Sequence, residues 1–121
     1  CIPMIIGAGA ASESILYKII EEKPKQIIIN NRTEDKAVSL VKKYKSLFSD
    51  IDINVATNDQ SDTSPDLIIN GSSAGLTGQF SAPYLTIHKD QVFYDLNYSL
   101  EVTPFCDWAP ATWDLPCSHL W

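Results

Sequence analysis

The sequence predicts an α/β domain, a mainly parallel sheet of about five strands in the order 3-2-1-4-5, sandwiched between helices in three layers. Three observations predict it. Short apolar runs alternate with stretches of helical periodicity, the pattern of strand–helix–strand units joined by right-handed crossovers. The run Ile27-Ile28-Ile29 is continuous rather than alternating, as suits a parallel strand buried on both faces. A small-residue turn, Gly7-Ala8-Gly9, separates the first apolar run from the first helical pattern.

Each element follows from its local pattern. Cys1 to Ile6 is an apolar run with Pro3 near its start, where a strand tolerates a residue that cannot donate. From Ala11 onward, Ala11, Ile15, Leu16, Ile19 and Ile20 recur at helical spacing until Pro24 stops the helix. Ile27 to Ile29 forms the second strand. Thr33 is placed to cap the next helix, with Glu34 and Asp35 in its first turn opposing the helix dipole. Ala37, Leu40, Val41, Tyr44 and Phe48 give that helix its buried stripe. Ile51, Ile53 and Val55 alternate with Asp52 and Asn54, which predicts a half-exposed strand at a sheet edge. After a polar stretch come Pro65, the run Leu67-Ile68-Ile69 and a loop of small residues from Asn70 to Gly78. Val92-Phe93-Tyr94 is the last clear strand.

Composition narrows the class of function. The 121 residues suffice for one domain with a core but are few for a complete dehydrogenase. A net charge of −6 argues against a nucleic-acid surface, which needs clustered cations. Lys36, Lys42, Lys43 and Lys45 do cluster, but they punctuate a helical apolar pattern and read as its solvated face. No apolar stretch approaches the roughly 20 residues that span a bilayer. The chain opens into a strand-like run without a charged leader, and a cytoplasmic protein without membrane or nucleic-acid partners is expected. Cys1, Cys106 and Cys117 have no metal-ligand spacing and read as free thiols. Cys117-Ser118-His119 is too slight to make a metal or nucleophile site.

The candidate site begins at the glycine turn. Gly7 and Gly9 would let the backbone bend and approach a pyrophosphate, and the amides of Ala8, Ala10 and Ala11 at the helix start would face the phosphates. Ser12 stands where the third glycine of the general fingerprint falls, small enough to keep helix and strand close. Such turns also serve purely structural connections. The second half of the signal is Asn31-Arg32-Thr33, which begins 22 residues after Gly9 at the end of the second strand. An acidic residue there would hold the 2′-hydroxyl of NAD, whereas this chain offers a guanidinium and no carboxylate. The cofactor expected is therefore NADP. Arg32, the chain's single arginine, would grip the 2′-phosphate and lie flat on the adenine, supported by Asn31, Thr33 and Lys36.

These residues resemble a family. Gly-Ala-Gly-x-Ala-Ser followed by Asn-Arg-Thr-x-x-Lys looks like the NADP-binding, Rossmann-like domain of shikimate dehydrogenase. Asp66-Leu67-Ile68-Ile69-Asn70 with Ser72-Ser73-Ala74-Gly75, then Tyr94-Asp95-Leu96-Asn97-Tyr98, then Thr103-Pro104-Phe105, match further motifs of that family in order. The resemblance runs from residue 1 to about Ala109, which sets the expected domain at 1–109 and leaves 110–121 as an atypical tail. Ala10 replaces the second glycine of a Gly-Gly pair, and Gly71-Ser72 replaces Ala-Thr, adding flexibility where the nicotinamide ribose would sit.

The resemblance implies reversible NADPH-dependent reduction of 3-dehydroshikimate to shikimate, in aromatic amino-acid biosynthesis. It implies that Ser72 and Ser73 border the nicotinamide, Leu96 offers its carbonyl and Tyr98 reaches the carboxylate of a shikimate-like acid. The family's catalytic Lys and Asp lie in an N-terminal substrate domain with no counterpart in these residues, so no catalytic residue is expected here and the fragment is expected to be inactive alone. Two alternatives remain at this point. One is a glutamyl-tRNA reductase-like nucleotide domain, which the segment Asp66 to Gly75 disfavours. The other is a non-catalytic NADP-binding or interaction module.

Overall fold

The computed structural model describes residues 2–56, 64–72, 90–96, 105 and 118–119. The elements run β1 (Pro3–Ile6), α1 (Ala10–Glu21), β2 (Ile27–Asn30), α2 (Glu34–Leu47), β3 (Ile53–Val55), β4 (Leu67–Asn70), β5 (Val92–Asp95) and β6 (Ser118–His119). The sheet order is β3-β2-β1-β4-β5-β6, and every pairing is parallel. The first five strands therefore have the order 3-2-1-4-5, Rossmann-like, as the sequence predicts. β6 is an addition: two residues from the segment expected to be a tail pair with Tyr94 and Asp95, so β5 does not end the sheet.

The central strands are buried throughout. All four residues of β1 and all four of β2 are buried, and α1 and α2 cover one face of them. On the first face Ile5, Ile27, Ile29 and Ile53 pack under Leu16 and Ile20 of α1 and Ala37, Leu40, Val41 and Tyr44 of α2. On the second face Met4 and Ile28 pack with Ala56, and Phe93 meets Phe105 at 6.1 Å between ring centroids. The odd–even split within each strand is the two-residue period of extended backbone. β3 at the edge is half-exposed, as its alternation predicts.

The helices match their predicted stripes with two differences. In α1 the position facing the sheet in the first turn is Ser12, fully buried, whereas Ala11 is exposed. The helix begins at Ala10, and its buried stripe runs through Ser12, Leu16 and Ile20 at four-residue spacing, which leaves Ala11 about 100° round the axis on the exposed side. Thr33 stands at the N-cap of α2, yet its hydroxyl makes no capping hydrogen bond, contrary to the expectation from sequence. Instead Asn31 Nδ2 donates to the Thr33 carbonyl at 2.8 Å, tightening the turn through its backbone. The four lysines at 36, 42, 43 and 45 are solvated, as expected.

Opposite the helix-start edge, Asp66 clamps β4 to β1: the Ile2 amide donates to its carboxylate and its own amide donates to the Ile2 carbonyl, both at 2.8 Å. Buried Gln91 donates to the Pro65 carbonyl at 2.8 Å beside it. No helix among the described residues is long and apolar enough to cross a membrane.

Candidate functional site

The chain runs β1 to β3 in one direction across the sheet and then returns to place β4 on the other side of β1. The loops leaving β1 and β4 therefore diverge at their C-terminal ends, and in open α/β sheets that crevice is where ligands bind. Gly7 follows β1, and Gly71 and Ser72 follow β4. Their separation is small enough that a Cβ on Gly7 would lie 3.0 Å from the Ser72 nitrogen and 3.1 Å from the Gly71 carbonyl carbon. Gly7 also has φ of +108°, a region that side-chain-bearing residues avoid. Its amide donates to the Asn30 carbonyl at 2.6 Å, and the Gly71 amide donates to the Ile6 carbonyl at 2.8 Å. The backbone at the ends of β2, β1 and β4 is thus stitched together under the crevice.

Ser12 sits beneath this junction. Its hydroxyl donates to the Ile6 carbonyl at 3.4 Å, and it is the nearest neighbour of both glycines: a Cβ on Gly71 would come within 2.2 Å of Ser12 Oγ. Gly71 is accordingly a close-approach residue. The sequence suggested flexibility at that position, and the structure supplies a steric reason in its place.

Gly9 differs. It is the N-cap of α1 with ordinary φ and ψ of −89° and −167°, and no side chain caps the helix. Among the described residues, and apart from its own chain neighbours, no atom stands within 4 Å of where its Cβ would be. Packing among these residues does not demand a glycine there. Gly9, Ala10 and Ala11 are exposed and Ala8 half-buried, and the helix start carries amides and a positive dipole end toward the open crevice, a combination suited to an anion.

Beside the turn, a hollow of about 380 Å³ is lined by Ala8, Asp35, Lys36, Ser39, Leu40 and Lys43. It brings Lys36 to the same depression as the glycine turn. Asn31 is half-buried at the end of β2, and Arg32 and Thr33 are exposed at the start of α2. The cationic Arg32 and Lys36 therefore lie on the β2 side of the crevice. On the other side lie Ser72 and Leu96, the latter donating its amide to the Asn70 carbonyl at 2.9 Å. Ser73 and Tyr98 fall outside the described residues, as do Cys1, Cys106 and Cys117.

Two buried polar residues at this edge were not singled out as site residues from the sequence. Asn70 and Asp95 are both fully buried and directly opposed in register, and Asn70 Nδ2 donates to Asp95 Oδ1 at 3.3 Å. A polar residue closing the apolar run Leu67-Ile68-Ile69 is the signal that could have found Asn70. Among the described residues no buried side-chain nitrogen or oxygen lacks a partner, and no cluster of three or more potential metal ligands occurs.

Comparison with known proteins places this arrangement in a family. Residues 3–75 match the model of the shikimate/quinate 5-dehydrogenase family. The chain is 38% identical over 106 residues to the NADP(+)-dependent shikimate dehydrogenase of Vesicomyosocius okutanii, covering 88% of this chain and 39% of that protein. It is 35% identical over 109 residues to the corresponding enzyme of Marinobacter nauticus, with the same coverage. The chain thus spans about two fifths of the length of these relatives. Among solved structures, quinate dehydrogenase from Corynebacterium glutamicum in complex with NAD superposes with a TM-score of 0.75 at 15% identity, over 98% of this chain and 43% of that one. An Ael1 enzyme from Pseudomonas putida gives 0.73 at 23% identity, over 97% and 42%. These likenesses establish the fold, and the family match with the relatives' identity establishes kinship: the chain belongs to the shikimate/quinate dehydrogenase family, of which it carries the nucleotide-binding domain.

Proposed function

We propose that this chain is the NADP-binding half of a cytoplasmic shikimate dehydrogenase-like oxidoreductase, which reduces 3-dehydroshikimate to shikimate with NADPH. The observation that carries the cofactor choice is the cationic flank of the crevice. Arg32 and Lys36 stand where the adenosine ribose would lie, and no carboxylate occupies the turn at Asn31-Arg32-Thr33 to bind a 2′-hydroxyl. In this reading the pyrophosphate lies over Gly7, Ala8, Gly9, Ala10 and Ala11, and its charge meets the uncapped amides of α1. Asn31 and Thr33 support the 2′-phosphate. Ser72, Ser73 and Leu96 border the nicotinamide, and Tyr98 contacts the carboxylate of a shikimate-like acid.

The nucleotide supplies the hydride, and the residues of this chain bind and orient it. The proton-transfer Lys and Asp that the family resemblance implies have no counterpart among these residues. General acid–base assistance is typically worth about 10²–10⁴-fold, and the wall that orients the hydride acceptor contributes further. The purified 121-residue chain is therefore expected to bind NADP+ yet form no measurable NADPH from shikimate, with Tyr98→Phe indistinguishable from it. Robust turnover that falls in the Tyr98→Phe variant would mean that a complete active site exists in this chain or its oligomer, contrary to the half-enzyme reading.

A further inference from the structure

We propose that Asn70 is a positioning residue, set by Asp95, which holds the two loops that border the nicotinamide half of the bound nucleotide. The proposal rests on the NADP reading above and adds to it a residue that touches no ligand itself.

Three bonds from one side chain and its backbone carry the inference. Asn70 Oδ1 accepts from the Ser72 amide at 3.1 Å. Its Nδ2 donates to Asp95 Oδ1 at 3.3 Å. Its carbonyl accepts from the Leu96 amide at 2.9 Å. Ser72 and Leu96 lie on the loops that leave β4 and β5, and Asn70 binds both. The orientation of the carboxamide is fixed by chemistry: an N–H donor at Ser72 requires the oxygen on that side, which leaves the NH2 for the carboxylate. Asp95 therefore acts as a key that prevents the amide from turning over and offering a donor to a donor.

Burial makes the arrangement costly to do without. Both residues are 0% exposed, and a buried amide or carboxylate without partners is strongly disfavoured. A leucine or isoleucine would continue the apolar run of β4 and fill the same space, but would leave the Ser72 amide untied. Asn30 on the neighbouring side of β1 offers a contrast. Its Nδ2 donates to the Ala56 carbonyl at 3.0 Å and its carbonyl accepts from the Gly7 amide at 2.6 Å, so these bonds tie the end of β3 and the glycine turn. Asn70 links the loops.

The test separates the nicotinamide half from the adenosine half. NADP+ and adenosine 2′,5′-bisphosphate, which lacks the nicotinamide, are titrated calorimetrically at pH 8 into the wild-type chain and four variants. N70D places two carboxylates against each other and is expected to weaken NADP+ about tenfold or more, the scale of a lost buried hydrogen bond, leaving the bisphosphate unchanged. N70A removes both side-chain bonds without adding charge and gives the same selective loss should N70D fold poorly. The exchange variant N70D/D95N restores one donor and one acceptor across the pair and returns NADP+ affinity to within about threefold of wild type. Q91M, which removes a buried amide bond at the opposite end of the sheet, leaves both ligands bound as in wild type. Equal losses for both ligands in N70D and N70A, failure of the exchange to recover affinity, or a selective loss in Q91M would each overturn the proposal. A wild-type chain that binds neither ligand would overturn the nucleotide reading and this inference with it.

Discussion

Gly7 and Gly9 look alike in the sequence, but the structure gives them different reasons to be glycine. Gly7 has φ of +108° and a Cβ there would meet Ser12 Oγ at 2.9 Å as well as the backbone after β4. Strained backbone of this kind costs of order 1–3 kcal/mol, before any displacement of neighbours. Gly7→Ala is therefore expected to lower the thermal midpoint by ~4 °C or more. Gly9 has allowed dihedrals and no neighbour among the described residues where a Cβ would go, so Gly9→Ala is expected to keep most of the stability and instead to weaken nucleotide binding by placing a methyl in the path of the pyrophosphate. Thermal melts of the two variants, with and without NADP+, check the distinction. Equal destabilisation of the free protein by both would show that Gly9, too, is a structural requirement. Gly71 belongs with Gly7, since its missing side chain makes room for Ser12.

The two described helices are joined to each other as well as to the sheet. Glu13 of α1 pairs with Lys43 of α2 and accepts from Tyr44 Oη at 3.0 Å. Tyr44 in turn stacks on Phe48 at 6.2 Å between centroids, and Tyr17 meets Phe48 edge-on at the same distance. The hydrogen bond from Lys43, then that from Tyr44, holds the Glu13 carboxyl below its ordinary range. Burial, reinforced by Glu13, pushes the Tyr44 hydroxyl up. A depressed carboxyl contributes stability that is complete above the ordinary glutamate range and is lost as the pH falls through the folded value. Glu13→Gln should therefore lower the thermal midpoint slightly at pH 7, and the gap from wild type should close as the pH falls below the ordinary glutamate range. The effect is small because the pair is solvated and screened. A gap that stays constant down to strongly acidic pH would mean that Glu13 acts through packing rather than charge.

Across the whole molecule, the sheet and the glycine turn were legible in the sequence because their signals are local. Ile27-Ile28-Ile29 announces a doubly covered strand, and the alternation at Ile53 and Val55 announces an edge. The parallel order then follows from crossovers of fixed hand. What was not legible depends on partners distant in the chain. Nothing near Gly71 indicates that Ser12 will lie against it, and Asn70 and Asp95, 25 residues apart, meet only once β4 and β5 pair. The Thr33 hydroxyl looked like a cap because its residue type suits one, yet Asn31 supplies the turn's bond instead. β6 has two residues, too few to carry a period.

Cofactor choice is decided at the outer end of the crevice, where Arg32 would select a 2′-phosphate. A hydrogen bond to a charged group contributes roughly 1.5–3 kcal/mol, and about 1.4 kcal/mol is tenfold in affinity. Calorimetric titration of NADP+ and NAD+ into the wild-type chain and Arg32→Ala measures that selection. The predicted result is tighter binding of NADP+ than NAD+ by the wild type, and a roughly 10- to 100-fold loss for NADP+ in the variant with little change for NAD+. Equal losses for the two cofactors, or a wild type that binds both alike, would contradict it.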